Sequence, residues 1–247
     1  MVDALWDAVG VRRAPAEIVE VNHAVAAHQR LAGPMGAVWA ADNREGWHGG
    51  GEYTRWIWPG YDLAGAQRWF GDRAQTVRVM PFLNGIPCSI HGYVTNGHVA
   101  AFRPVELVIL RRPGHADFRY AGLATFWDPP DSDREDMRAP AVATGNQLLR
   151  TKQYRGGFSI DGVMTAEWFR PTELNSRLSA GLMMLARSVE NLQLASMDRA
   201  FDGRCRVRCG LAHGVHCAGG RRDAIWRYGP GDPQGRARTT RRGIGVR

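Results

Sequence analysis

Lysine is almost absent: among 32 basic side chains only Lys152 is a lysine, and the rest are arginine. Cysteine is scarce, with four in 247 residues, and no disulfide is expected in a cytoplasmic chain. No apolar run approaches the roughly 20 residues that span a bilayer. The opening MVDALWDAVGVRRAPAEIVE has neither the basic head nor the long apolar core of a secretory signal. The expectation is a cytoplasmic protein with no membrane partner. Gly-x-Ser-x-Gly does not occur, and Ser89, His91 and Asp161 form no recognisable nucleophilic triad in sequence, which disfavours a hydrolase. No internal repeat is visible. What is present is 44% hydrophobic content with nine tryptophans, enough for a packed core and incompatible with disorder throughout.

The net charge of +8 is unevenly placed. Residues 203–247 hold eleven arginines against Asp223 and Asp232, a charge of +9, which leaves −1 for the first 202 residues. The body is neutral, so no nucleic-acid partner is expected for it. In the tail, glycine and arginine dominate and the apolar residues lack a period, so no packed domain is expected there. The preferred reading of the tail is out-of-frame translation of a GC-rich gene. Two alternatives stay open: a flexible arginine-rich tail that binds RNA or DNA phosphates, and a zinc cluster from Cys205, Cys209, His213, His216 and Cys217, whose spacing matches no established module.

Through the body, patterns of helix and strand alternate. Helices are predicted over Asn22–Leu31, Leu63–Phe70, Pro140–Gln153 and Leu178–Leu192, the last from apolar residues three and four apart. Strands are predicted over Ala37–Ala40, Glu52–Trp58, Thr76–Leu83, Cys88–Val94, Val99–Leu110, Phe158–Val163 and Ala166–Phe169. Asn84-Gly85 and Asn96-Gly97 read as hairpin turns. The class is α+β with a largely antiparallel centre. His23 and His28 are expected at the surface, and Cys88 as an inert core thiol.

Two stretches carry possible chemistry. In FSIDGVMTAEWFRPTELNSR, Asp161 ends one strand, and Glu173 and Asn175 close the next segment after a short turn. Hairpin pairing would bring Asp161 beside Glu173, and Asn175, two residues on, projects to the same face as Glu173. Two carboxylates and a carboxamide suit Mg²⁺, which shares its shell with water and phosphate. Arg177 repeats the spacing and adds a guanidinium suited to phosphate. The plainer alternative is a solvated hairpin. In the second stretch, Gly49, Gly50 and Gly51 lie between two predicted strands, where bare backbone N–H groups can approach a phosphate. No Gly-Lys-Ser/Thr follows, so this is not a P-loop.

Together these stretches resemble the ATP-grasp superfamily over residues 3–195. FSIDGV…PTELNSR is similar to that family's aspartate followed by Glu-x-Asn-x-Arg, and VRVMPFLNGIPCSIHGYV resembles the strand bearing its adenine-contacting linker. The opening LWDAVGVRRAPAEIV resembles the entry to the fold. The resemblance implies two α+β subdomains gripping nucleotide, at 1–80 and 81–202, followed by the tail. It implies ATP and Mg²⁺ (or Mn²⁺) as cofactors, with Asp161, Glu173 and Asn175 holding metal. Arg177 matches the arginine that steadies the γ-phosphate or an acyl phosphate. Gly49, Gly50 and Gly51 match the phosphate-covering loop, and Phe82 and Leu83 the border of adenine. The implied reaction is ATP-dependent joining of a small-molecule carboxylate to an amine. Family members usually present lysines to the phosphates; here the corresponding strand offers Trp39, with Arg55 as a candidate substitute cation. They also usually carry a preceding α/β domain, which is expected here to be either missing or supplied by a partner. A nucleotide-binding chain without turnover is the competing expectation.

Overall fold

A computed structural model of the protein describes residues 2–41, 51–189, 192–201 and 225–228. Its elements run α1 (Val2–Asp7), β1 (Glu17–Glu20), α2 (Ala24–Leu31), β2 (Ala37–Ala41), β3 (Thr54–Ile57), α3 (Leu63–Gly71), β4 (Thr76–Pro81), β5 (Ile86–Val94), β6 (Val99–Phe102), β7 (Val105–Arg111) and β8 (Phe118–Ala124). They continue as α4 (Asp131–Lys152), β9 (Gly156–Met164), β10 (Phe169–Asn175), α5 (Ala180–Ala186), α6 (Leu194–Phe201) and β11 (Ile225–Tyr228). The mixed class is as expected, and the pairs β1·β4, β2·β3, β2·β4, β5·β6, β5·β7, β7·β8 and β6·β11 are all antiparallel. No described helix is long and apolar enough to cross a membrane.

The chain divides into two compact units, each drawn from three segments. The first takes Met1–Ser89, Pro104–Asp133 and Ile160–Leu174; the second takes Ile90–Arg103, Arg134–Ser159 and Asn175–Arg247. The two units alternate along the chain.

In the first unit, four strands are ordered β1-β4-β2-β3. Val77 and Val79 alternate along β4, so both enter one core with Trp39, Ile57 and Phe70, all fully buried. α3 begins where the Asp62 carboxylate accepts the Gly65 N–H at 2.9 Å, a standard helix cap. His28 departs from its expected surface place. It is buried on α2, where its Nδ1 accepts the Trp39 indole N–H at 3.2 Å.

Asn84-Gly85 is not a hairpin turn: β4 belongs to this four-stranded sheet and β5 to a second sheet. The glycine serves a close approach instead, because a Cβ there would lie 2.1 Å from the Met164 carbonyl oxygen. The second sheet is ordered β10-β9-β5-β6-β11, with β7 also beside β5 and β8 beside β7. One continuous strand is predicted over Val99–Leu110, but Arg103-Pro104 separates β6 from β7, and proline has no N–H to give a ladder. Asn96-Gly97 does turn β5 into β6, with Gly97 at φ +86° and the Thr95 N–H donating to the His98 carbonyl at 2.9 Å.

The second unit packs around the buried ring of Phe158. A Cβ at Gly92 would meet that ring at 2.2 Å, and one at Gly145 would meet Val99 at 2.6 Å. α4 starts at Asp131, so Pro140 lies inside it rather than in its first turn. Of the predicted Leu178–Leu192 helix, α5 forms only Ala180–Ala186, and α6 begins beyond its predicted end, at Leu194. In the tail, Ile225–Tyr228 forms β11 against β6, from Ile225↔Phe102 to Tyr228↔Val99. The cysteines and histidines at 205–217 lie outside the described residues.

Candidate functional site

β9 is buried from Gly156 to Ile160 and opens at Asp161, which is partly exposed. Asp161 is fixed from two directions. Its Oδ1 accepts the Ser89 hydroxyl proton at 2.6 Å, and its backbone carbonyl accepts the Thr172 hydroxyl at 3.2 Å. Thr172 belongs to β10, so that strand runs past Asp161 one residue before Glu173. At the turn between β9 and β10, the Thr165 N–H donates to the Trp168 carbonyl at 3.2 Å. Glu173 is exposed, Asn175 closes β10 half-buried, and Arg177 stands exposed just beyond it.

The surrounding electrostatics involve Cys88 and two residues that the sequence did not single out, Tyr120 and Arg78. Burial pushes the Tyr120 phenol up from its usual range, and the charge of Asp161 adds to the effect. Burial pushes the Cys88 thiol up to about 12, which makes it the inert core thiol expected. Burial also lowers Arg78 on β4, while the carboxylates of Asp3 and Glu173 oppose that shift. Arg78 pairs with Asp3 at 3.3 Å, and its buried Nε lacks a hydrogen-bond partner. Nothing in the local sequence marks Arg78; Ser89 is visible only as a hydroxyl in an apolar strand.

The remaining candidates lie in the first unit. Gly51 adopts φ +77°, a conformation that favours glycine, and its carbonyl accepts the Thr54 N–H at 3.0 Å. Gly49 and Gly50 lie outside the described residues. The Arg55 guanidinium stacks on Trp69 at 4.0 Å and donates to the carbonyls of Glu52 and Thr54 at 2.8 and 2.9 Å. Arg73 covers the same ring at 4.4 Å. Burial lowers Arg55 from its ordinary range, and the neighbouring Asp117 carboxylate partly offsets this. Phe82 and Leu83 leave β4 half-buried, with the Phe82 N–H donating to the Gly36 carbonyl at 3.0 Å. The Phe82 ring lies 4.7 Å from that of Trp56, and Arg111 sits over both. Where the resemblance leads one to look for a lysine, Trp39 is fully buried.

Neither a family model nor a curated protein matches the sequence. Solved structures do. The chain is similar to the ADP complex of N5-carboxyaminoimidazole ribonucleotide synthetase, with TM-score 0.63 and 14% identity over 81% of this chain and 49% of that one. Carboxyaminoimidazole ribonucleotide synthase from Aspergillus clavatus, complexed with ATP, gives TM-score 0.62 and 12% identity over 91% and 54%. Phosphoribosylamine–glycine ligase from Thermotoga maritima gives 0.61 and 15% over 92% and 56%. The chain spans about half the length of these structures.

Proposed function

Because the chain has the ATP-grasp fold, we propose that it binds ATP with Mg²⁺ or Mn²⁺ and activates a small-molecule carboxylate for attack by an amine. The observation that carries this reading is Asp161, held by Ser89 and Thr172 from the two strands beside β9, with Glu173 and Asn175 following on β10. A synthetase in complex with ADP, a synthase in complex with ATP and a ligase among the solved neighbours support it. The donor chemistry fits the ion: two carboxylates and a carboxamide are hard oxygen ligands that leave room for water and phosphate.

In this reading Asp161, Glu173 and Asn175 hold the metal, which when bound neutralises phosphate charge. Arg177 steadies the γ-phosphoryl group, a task suited to a bidentate guanidinium. The backbone around Gly49, Gly50 and Gly51 covers the phosphates, with Arg55 as a nearby cation, and Phe82 and Leu83 border the adenine. A substrate carboxylate oxygen attacks the γ-phosphorus and ADP leaves, giving an acyl phosphate. The amine nitrogen then attacks the acyl carbon, phosphate leaves, and the nitrogen gives up a proton. The protein's contribution is alignment and charge stabilisation rather than covalent chemistry.

The test is phosphate release by the full chain from ATP and Mg²⁺ with panels of carboxylates and amines. Release that requires both a carboxylate and Arg177 is expected, with Arg177→Ala slowing it roughly 10²-fold, as for loss of one charge-stabilising donor. One observation favours a second reading, binding without turnover: on the strand where the resemblance leads one to expect a phosphate-binding lysine, Trp39 is buried. That reading predicts Mg²⁺-dependent ATP binding with no phosphate release for any acceptor.

A further inference from the structure

Ser89 is 1% exposed, in a strand whose neighbours Cys88 and Ile90 are fully buried. A hydroxyl placed so deep must spend its proton on a protein acceptor, since water cannot reach it. It spends it on the Asp161 carboxylate at 2.6 Å, the short separation typical of a hydrogen bond to a charged oxygen. Ser89 is itself immobile. Its backbone is registered to Val105 of β7, with Cys88 opposite Glu106, and β9 lies beside the same strand. The Thr172 hydroxyl holds the Asp161 backbone from β10. Main chain and carboxylate are thus tied separately, by two hydroxyls from the two strands that flank β9.

We infer that Ser89 is a positioning residue for the metal site. Its hydroxyl sets the orientation in which the Asp161 carboxylate meets a divalent cation, and so sets the metal affinity of the nucleotide complex. This inference rests on the assignment of Asp161 as a metal ligand. Carboxylate ligands are commonly held by such outer partners, whose loss costs about 10–100-fold in metal affinity. Ser89 touches neither metal nor nucleotide. Its removal therefore raises the Mg²⁺ concentration that ATP binding needs.

The experiment is calorimetric titration of ATP into the full chain across a Mg²⁺ series, for the parent, Ser89→Ala, Ser89→Cys, Ser89→Thr and Asp161→Asn. Cooperative thermal unfolding by circular dichroism establishes that each is folded. For Ser89→Ala the Mg²⁺ concentration giving half-maximal binding should rise roughly tenfold. Ser89→Cys, which keeps the side-chain shape with a weak donor, should do the same and serves if the alanine variant does not fold. Ser89→Thr, which keeps the hydroxyl, should restore the parent midpoint. An unchanged midpoint in folded Ser89→Ala or Ser89→Cys, while Asp161→Asn abolishes the Mg²⁺ dependence, overturns the role of Ser89 alone. If Asp161→Asn also leaves that dependence intact, the metal assignment fails and the positioning role falls with it.

Discussion

His91 lies on β5, 2% exposed, and its Nδ1 finds no hydrogen-bond partner. Burial holds its imidazole down at about 4, far below the value near 6.5 of an exposed histidine. The folded protein therefore refuses a proton that the unfolded chain accepts. The corresponding stability is present above about pH 6.5 and is lost as the pH falls toward 4, to the extent of about 3 kcal/mol. Urea unfolding at pH 7, 5.5 and 4 should show this decline, and His91→Leu should remove most of it. What remains should include the smaller share of His28, whose imidazole burial also lowers. The adjoining Gly92 tests packing: a methyl group there would strike the Phe158 ring at 2.2 Å. Gly92→Ala should destabilise by about 2 kcal/mol, within the usual cost of overpacking, read as a lower urea midpoint with unchanged slope. At this scale the sequence showed the proposed ligands more readily than the groups beside them. Asp161, Glu173 and Asn175 stand out because acidic and amide groups cluster at strand ends. Ser89, Arg78 and the partnership of His28 with Trp39 do not, because each depends on which strand or helix packs beside it.

Elements with a strong period were legible, and those set by context were not. Val77 and Val79 in β4 alternate with polar neighbours, and the Asn96-Gly97 turn declares the β5–β6 hairpin. By contrast β8, FRYAGLA, is exposed over much of its length and shows no apolar face to find. The start of α4 is equally mute: DSDRED carries acidic residues that suit a helix N-terminus, but no apolar stripe before Met137. The reading of Leu178–Leu192 as one helix failed for the opposite reason, since its period of three and four outlasts the helix that ends at Ala186. Pro140 inside α4 leaves the Asp136 carbonyl without the N–H that residue 140 would otherwise donate. Pro140→Ala should therefore raise stability by about 2 kcal/mol, the order of a proline penalty in a helix interior. Thermal unfolding checks this, and a lowered midpoint would mean that a bend at this point is needed by the packing.

For the whole molecule, the order of segments carried more information than their composition. The glycine-rich stretch, the linker around Phe82 and Leu83, and Asp161 followed by Glu-x-Asn-x-Arg already pointed to the ATP-grasp fold, which the solved structures share at only 12–15% identity. The alternating make-up of the two units was not legible, because β5, β9 and β10 each pass from one unit's segments into the other's. Net charge was the least informative quantity, since the whole excess sits in residues 203–247. The central claim is that Asp161, Glu173 and Asn175 form a Mg²⁺–ATP site. Its most direct test is calorimetry of ATP binding to the full chain with and without Mg²⁺, beside Glu173→Ala. Glu173 is exposed, so its truncation removes a ligand without opening the core. The account predicts binding that requires Mg²⁺ and weakens at least about tenfold in Glu173→Ala, as expected when a hard-oxygen ligand is lost. Binding by Glu173→Ala as tight as the parent's, or none by the folded parent chain, would contradict it.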